Sequence, residues 1–326
     1  MFTPLDRPRK ALNRNSAFLY LTGLILSEAV ELLHIFFIRR LLVKYKICVA
    51  GMTLFFTVFL MSIPAHSEER LMLFVGAASK PPTEEAVKLF EKRTGVKVDV
   101  NFGGSGYMLS QMILAKKGDI YFPGSSDYME KAKREGLVFP ETEKRVVYLV
   151  PAINVQKGNP KNIRELKDLL RPDIKVAIAN PENVCVGAYA VEIIEKNLTP
   201  REKKKFRKNI VNYTESCDKI MTAVSLNAVD AVLGWSVFEH WDPDTVQTIP
   251  LKSNEVARVG YIPLAVSTLT KNRELAQRFI DFILSEETLS IFRKYKYFTS
   301  PEEAFTWIGQ KPVGGEYQLP EEWIIK

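Results

Sequence analysis

The first candidate for chemistry is a glycine cluster around one serine, VNFGGSG at Val100–Gly106, directly before the helical pattern YMLSQMILAKK. A phosphate loop of the Walker type needs a Lys-Ser/Thr pair at the helix start, and the dinucleotide fingerprint needs a third glycine two residues beyond the second. Neither pattern is present. A strand that turns through glycine into a helix leaves backbone N–H groups and the positive end of the helix dipole facing outward. The segment therefore indicates either an anion-binding nest of amides or a plain turn.

Three further junctions combine small residues with a polar residue ahead of a helical pattern: Gly76–Ser79 (GAAS), Asn180–Gly187 (NPENVCVG) and Tyr213–Lys219 (YTESCDK). Each alone is typical of a helix cap. In an open α/β sheet, however, ligands bind beyond the carboxyl ends of the strands, where helices begin. Four such junctions, two in each half of the chain, predict a ligand cleft between two lobes.

Enzymatic chemistry has little support among the side chains. His34 and His66 fall in a predicted leader, so the exported chain keeps His240 alone and a histidine-rich metal site is excluded. A nucleophile pair of Cys185 or Cys217 with His240 stays open, but no family signature surrounds either cysteine. A G-x-S-x-G nucleophile elbow is lacking as well. We therefore expect no enzyme, no cofactor and no metal held directly by side chains.

Composition and charge are those of a globular chain. The 326 residues are 46% hydrophobic and 25% charged, a length that suggests two lobes rather than one core. The formal charge of +7 is uneven, because the first 67 residues carry +5 and the remainder only +2. The main body of the chain thus gives no electrostatic case for a nucleic-acid partner.

The start of the chain has the pattern of an export signal. The basic RRLLVKYK, the apolar ICVAGMTLFFTVFLMSIP and the small residues AHS predict a signal peptide over about residues 39–67, with cleavage after Ser67. Cys48 lies ahead of the apolar stretch, which argues against a lipoprotein anchor. We expect a periplasmic protein, with retention of the apolar stretch as a membrane tether as the alternative. Residues 1–38 hold either a further membrane segment or an extension upstream of the true start.

After the leader, short apolar runs alternate with amphipathic segments, and this βαβα order predicts an α/β fold with mainly parallel sheets. TEEAVKLFEKRTG predicts a helix that ends at Gly95, and NIRELKDLL predicts a helix at residues 162–170. The apolar spacing in RELAQRFIDFILSEETLSIFRKY predicts one long helix over residues 273–295. The basic TPREKKKFRKN is typical of a solvated helix face.

Cys185 and Cys217 are the two cysteines beyond the leader, and export to an oxidising compartment favours a disulfide between them. Closing a loop of about 33 residues would stabilise the fold by roughly 3–4 kcal/mol in the chain-entropy model. Sequence alone does not establish that the two meet, and a pair of buried thiols is the alternative.

Taken in order, the junctions and their flanking segments resemble the periplasmic molybdate-binding proteins of ABC importers, which have the type II periplasmic binding protein fold. The likeness runs from about Leu71 to Tyr297 and is carried by FVGAAS, GGSGYMLSQMILAKKGDIYFPGSSDYMEKA, VAIANPENVCVGAYAVEIIE, CDKIMTAVSLNAVDAVLGW and LAQRFIDFILSEETLSIFRKY. VAIANPENVCVGAYAVEIIE is the most specific of these segments. The resemblance implies a two-lobed α/β fold with mainly parallel sheets and a ligand cleft between the lobes.

The resemblance also implies that neutral donors hold a tetrahedral oxyanion in the cleft. Five positions match the family's ligand contacts: Ser79, Ser105, Val186, Cys217 and Trp235. The two serines would supply hydroxyl and backbone N–H groups, and Val186 and Cys217 would supply backbone N–H groups from the other lobe. Trp235 stands where the family usually has a tyrosine, and its indole N–H is bulkier and differently placed than a phenol. Lys80 either adds a positive charge to the site or is solvated away from it.

From the resemblance we expect a monomeric extracytoplasmic receptor that binds molybdate or tungstate and delivers it to an ABC permease and its ATPase. A receptor for sulfate or phosphate, a membrane-tethered sensor and a cysteine-dependent enzyme are the alternatives. Ligand contacts from both lobes would close a hinge. We place lobe one at residues 71–147 plus 251–326, lobe two at 148–250, and the hinge crossings near Val147–Pro151 and Pro250–Arg258.

Overall fold

The computed structural model describes residue 33, residues 36–46 and residues 69–324. The chain divides into two units, Met1–Ser67 and Glu68–Lys326. In the first unit, residues 36–46 are helical and exposed. None of the helices in the described ranges is long and apolar enough to cross a bilayer. Most of the predicted signal peptide and its upstream extension lies outside the described residues.

The first sheet of the second unit has five strands: β1 (Arg70–Gly76), β2 (Lys97–Gly103), β3 (Ile120–Phe122), β4 (Lys144–Leu149) and β10 (Gly260–Val266). Their order across the sheet is β2-β1-β3-β10-β4. β1 is parallel to β2 and β3, whereas β10 is antiparallel to its neighbours β3 and β4. Only β10 therefore runs against the other strands.

The second sheet repeats this plan with β5 (Pro151–Gln156), β6 (Val176–Ala179), β7 (Ile210–Thr214), β8 (Ala231–Trp235) and β9 (Val246–Pro250). Their order is β7-β6-β8-β5-β9. β6 is parallel to β7 and β8, and β5 is antiparallel to β8 and β9. The two sheets confirm the predicted α/β fold with mainly parallel strands.

Helices cover both sheets: α1 (Lys80–Thr94), α2 (Ser105–Ala115), α3 (Ser126–Arg134), α4 (Cys185–Asn197), α5 (Pro200–Asn209), α6 (Cys217–Ser225), α7 (Phe238–Trp241), α8 (Arg273–Ile283), α9 (Glu286–Lys294) and α10 (Pro301–Ile308). Short 3-10 segments lie at Ala77–Ser79, Pro140–Thr142, Leu166–Leu170, Ser253–Glu255 and Glu321–Trp323. In both sheets, helices follow β-strands at the predicted strand-to-helix junctions. α1 begins directly after the junction Gly76–Ser79, and α2, α4 and α6 begin within the other three junctions.

Local signals fix several helix ends. α1 ends as predicted where Gly95 takes the left-handed conformation, with φ of +74°. α5 begins with a capping box in which Thr199 and Glu202 exchange side-chain and backbone hydrogen bonds. Phe206 of α5 is buried while most of its basic side chains are exposed, which agrees with the solvated face expected for this segment.

Two predicted helices were wrong. The stretch over residues 273–295 forms α8 and α9 rather than one helix, because Ser285 caps a new start by accepting a hydrogen bond from the Thr288 N–H. NIRELKDLL forms only the 3-10 segment Leu166–Leu170. There the Glu165 and Asp168 side chains cap the turn, which competes with a longer helix.

Two strand-to-strand connections cross between the sheets. β4 passes through Val150 into β5 of the second sheet, and β9 returns through residues 251–259 to β10 of the first. These are the connections at which we expect hinge motion. The hinge itself stays a prediction.

The C-terminal segment bridges the two sheets, although we predicted it in lobe one. Ser126 on α3 donates a hydrogen bond to the Gly315 carbonyl, as expected for that lobe. Trp323 instead is buried in the core of the second sheet, donates to Glu195 on α4 at 2.8 Å and lies under Arg207 at 4.2 Å. Ala304 and Ile308 of α10 belong to the same apolar core as Trp323, which draws part of this segment toward the second sheet.

Candidate functional site

The four predicted junctions meet at one place. The Gly106 N–H at the start of α2 donates to the Asn183 carbonyl in the loop before α4, at 2.9 Å. Asn180 in the same loop donates to the Tyr107 hydroxyl at 3.3 Å. The two lobes are therefore in contact, with helix N-termini from both facing the same space.

Ser79 and Ser105 lie in this contact region and are buried. The Ser105 Oγ accepts a hydrogen bond from the Gly124 N–H at 2.9 Å. The Ser79 Oγ accepts one from the Thr83 hydroxyl at 3.1 Å. Because each oxygen acts as acceptor in these bonds, its own O–H remains able to donate to an anion.

Two glycines permit the close packing around Ser105. A Cβ on Gly76 would lie 2.5 Å from the Gly124 nitrogen and 2.6 Å from the Ser105 Oγ. A Cβ on Gly124 would lie 2.6 Å from the Cys185 Sγ and 2.7 Å from the Ala78 Cβ. All four distances are too short for a side chain at either position, so the backbone itself forms this wall of the site.

Gly124 belongs to a fifth junction, Pro123–Ser126 between β3 and α3, which sequence reasoning did not single out. The strand IYF followed by PGSS carries the same signal as the other junctions, a strand ending in small residues ahead of a helix. Ser125, the residue before α3, is buried, and its Oγ has no hydrogen-bond partner within the described part of the chain.

The second lobe contributes the starts of α4 and α6. Cys185 is the first residue of α4 with Val186 next to it, and Cys217 is the first residue of α6. All three are about 1% exposed. The backbone N–H groups of a helix's first turn lack partners within the helix, so these positions can donate to a ligand.

The thiols of Cys185 and Cys217 face each other with their sulfurs 3.9 Å apart, and both are free. Burial raises the pKa of the Cys217 thiol well above its ordinary value, and Cys185 adds to this shift while the Trp235 indole opposes it. The two cysteines are therefore in contact, as a disulfide would require, but their sulfurs are not bonded in this structure. Whether they become bonded stays a prediction.

Trp235 is fully buried at the end of β8, beside Tyr189 of α4. Their ring centroids lie 5.0 Å apart in an edge-to-face arrangement. The Trp235 indole nitrogen and the Tyr189 hydroxyl are both buried without a nitrogen or oxygen partner among residues 69–324. Unpaired buried donors are costly unless a ligand satisfies them. Sequence reasoning missed Tyr189, which lies one helical turn beyond Cys185.

The charges near the site neutralise one another. Lys80 forms an ion pair of 3.1 Å with Asp218 across the two lobes. Burial alone would raise the pKa of Asp218, but hydrogen bonds from Ser216 and Lys80 lower it. Lys80 is therefore neither a free positive charge in the site nor simply solvated. The groups that remain to face a ligand are hydroxyls, thiols, an indole and backbone amides.

A buried ion-pair cluster ties the lobes together at one side of the site. Arg258, in the connection from β9 to β10, donates to Glu192 of α4 at 2.8 Å and to Asp127 of α3 at 3.0 Å. It also donates to the Gly315 carbonyl and lies 4.1 Å from the centre of the Tyr189 ring. Arg258 thus joins both lobes and the C-terminal segment.

Two cavities near the surface are lined by residues outside the predicted set of ligand contacts. One of about 490 Å³ borders the site through Gly104 and Ser216, between α2 and α6. His240 instead is exposed in a separate cavity with Arg293 and Trp307. The cysteines are buried against each other and against Gly124, so the structure gives the pairing of a cysteine with His240 no support.

These features define a class of protein. Two α/β lobes, connected twice, with helix N-termini from both meeting at a buried set of neutral donors, are the architecture of a receptor that encloses a small solute. The chain belongs to the bacterial extracellular solute-binding protein family, whose profile matches residues 71–297. The resemblance to type II periplasmic binding proteins is confirmed, and the family consists of binding proteins rather than enzymes.

The chain is similar to individual named proteins and solved structures. The molybdate-binding protein ModA of Rhodobacter capsulatus is 26% identical over 255 residues, which cover 77% of this chain and 96% of that protein. The periplasmic molybdate-binding protein of Azotobacter vinelandii has the same fold, with a TM-score of 0.61 at 15% identity over 71% of this chain and 99% of that one. The sulfate-binding protein SubI of Mycobacterium tuberculosis H37Rv has a TM-score of 0.59 at 18% identity, covering 76% and 94% of the two chains.

Proposed function

We propose that this protein is an extracytoplasmic receptor that captures molybdate or tungstate between its two lobes and delivers it to an ABC importer. The observation that carries the proposal is the convergence of four helix N-termini, those of α1, α2, α4 and α6, at Ser79, Ser105, Cys185 and Cys217. The relatives named for molybdate binding support the choice of ligand.

The physical basis is electrostatic. Each helix N-terminus contributes on the order of 0.3–2 kcal/mol toward a negative charge. Four of them, supplemented by two serine hydroxyls, can hold a dianion without a positively charged side chain. The pairing of Lys80 with Asp218 at 3.1 Å agrees with this arrangement, because it leaves the lysine charge compensated.

The buried donors favour an anion that accepts hydrogen bonds on every side. The Ser125 hydroxyl, the Tyr189 hydroxyl and the Trp235 indole are each buried without a nitrogen or oxygen partner within residues 69–324. A tetrahedral oxyanion presents four acceptor oxygens and could satisfy donors from both lobes at once. We therefore assign Ser79, Ser105, Val186, Cys217 and Trp235 as ligand contacts, on the strength of the sequence resemblance and this donor set.

Delivery to a permease follows from the family. A solute-binding protein acts with a membrane permease and an ATPase, and closure around the ligand is what the permease would sense. We propose a periplasmic, monomeric receptor, exported by the signal peptide at about residues 39–67.

Calorimetric titration of the ligand-free chain with molybdate, tungstate, sulfate and phosphate tests the proposal. We expect one-to-one, sub-micromolar binding of molybdate and tungstate, with sulfate and phosphate far weaker because they are smaller. Preferential binding of sulfate or phosphate would keep the oxyanion receptor but overturn the assignment to molybdate. Failure of all four to bind would remove the oxyanion receptor altogether.

A further inference from the structure

We propose that Cys185 and Cys217 form a reversible dithiol–disulfide pair whose oxidation, by exchange with a disulfide such as oxidised glutathione, weakens anion binding in the cleft. The inference rests on the proposed function, because the two cysteines begin the helices that would hold the anion. It adds a modification site to that receptor.

The geometry places the pair within reach of a bond. The two sulfurs lie 3.9 Å apart, both cysteines are about 1% exposed, and both are free. Bonded sulfurs lie about 2.05 Å apart. Oxidation therefore draws the first residues of α4 and α6 toward each other, through side-chain rotation and movement of the helix starts.

Access to the pair depends on the cleft. The Cys185 sulfur lies against Gly124 of the other lobe, where even a Cβ would come within 2.6 Å of it. Opening the cleft removes this cover and exposes the thiol to a reagent. Burial in the closed form also raises the pKa of the Cys217 thiol, which keeps it protonated and slow to react. Exchange is therefore confined to the open form.

The chemistry needs no group beyond the disulfide reagent. One cysteine thiolate attacks a sulfur of oxidised glutathione, forming a mixed disulfide and releasing one reduced glutathione. The second cysteine thiolate then attacks the protein sulfur of the mixed disulfide, which forms the Cys185–Cys217 bond and releases the second glutathione. The protein loses two electrons to the reagent, and the two protons of its thiols are taken up by the two glutathione thiolates as they leave, giving two molecules of reduced glutathione.

The effect on binding follows from what the pair positions. The N–H groups of Val186 and Cys217 would donate to the anion, and both lie in the two helix turns that the bond displaces. Hydrogen bonds weaken steeply once distance and angle leave their narrow range. We expect the oxidised protein to bind molybdate at least tenfold more weakly than the reduced protein.

Linkage makes the coupling reciprocal. If oxidation weakens molybdate binding tenfold, saturating molybdate must make the disulfide tenfold harder to form. For a two-electron couple, this factor corresponds to a rise of about 30 mV in the reduction potential of the Cys185–Cys217 pair, because molybdate favours the reduced form. The ligand thus protects the thiols while it holds the lobes closed.

The experiment uses the full chain with Cys48→Ser, so that Cys185 and Cys217 are the remaining cysteines. Reduced protein and protein equilibrated with oxidised glutathione are compared by intact mass after alkylation in denaturant, and each is titrated with molybdate. The same exchange is repeated with molybdate present. Cys185→Ser in this background is the matched control, because it cannot form the disulfide, and Cys217→Ser is the second variant should the first not fold.

We expect an intramolecular disulfide, at least tenfold weaker molybdate binding after oxidation, protection by molybdate, and no redox dependence in the serine variants. Mixed disulfides alone, or molybdate dissociation constants within twofold in the two redox states, would overturn the proposal. A reduced chain that binds no oxyanion would overturn the proposed function and the coupling to it. The mass measurement would still decide separately whether the disulfide forms.

Discussion

Ser105→Ala separates the role of this residue in the ligand site from its role in the fold. Its hydroxyl would donate to the bound oxyanion, while its oxygen already accepts from the Gly124 N–H at 2.9 Å. Removing a donor to a buried charged acceptor costs about 1–3 kcal/mol, which raises the dissociation constant roughly 5- to 150-fold. The same substitution leaves the buried Gly124 N–H without its acceptor, at a cost of about 1–3 kcal/mol in the free energy of unfolding.

Two assays read these effects independently. Calorimetric titration with molybdate gives the dissociation constant of the folded protein, and urea unfolding of the ligand-free protein gives its stability. Ser110→Ala is the matched control, because Ser110 is exposed on the same helix. We expect it to change stability by less than about 0.5 kcal/mol and to leave binding unaltered.

The pattern of results identifies which part of the reasoning fails. Lower stability of Ser105→Ala with a dissociation constant within twofold of the unaltered protein would mean that Ser105 does not touch the anion. Weaker binding with unchanged stability would mean that the contact with Gly124 contributes nothing in solution. If Ser105→Ala matched the unaltered protein in both molybdate binding and stability, the placement of the site would be refuted.

Arg258→Leu leaves the buried carboxylates of Asp127 and Glu192 unpaired, so we expect the free energy of unfolding in urea to fall by about 3–5 kcal/mol. Arg93→Leu, which breaks an exposed ion pair, should cost less than about 1 kcal/mol, and equal losses would contradict the importance of burial. The carboxylate of Glu202 accepts backbone and side-chain hydrogen bonds at the start of α5, which lower its pKa from 4.5 to about 2. Its ionised form therefore stabilises the fold above about pH 4.5, and this contribution is lost as the pH falls toward 2. Glu202→Ala should accordingly be less stable than the unaltered protein at pH 7, with a difference that shrinks between pH 4.5 and pH 2; a difference independent of pH would refute the assignment.

Several features could be predicted because their signals are local in the sequence. The alternation of apolar runs and amphipathic helices gives an α/β fold, and Gly95 ends α1 because a left-handed residue is cheap only for glycine. The four junctions were recognisable because each places small and polar residues between a strand and a helix. The prediction of one long helix over residues 273–295 was wrong because the apolar spacing continues across Ser285, where a side-chain cap starts a new helix.

The sequence by itself determined the class of fold, the family and the types of donor that the site offers, since these depend on short-range patterns. Only the tertiary structure decided which groups meet, because those contacts join residues far apart in the chain. Arg258 reaches Asp127 and Glu192 on two different helices, and Lys80 is neutralised by Asp218. The approach of the Cys185 sulfur to Gly124 likewise depends on how the two lobes pack, and its approach to Cys217 depends on how α4 and α6 pack within the second lobe. No periodicity records such pairings, because they are set by the packing of the lobes rather than by local backbone preference.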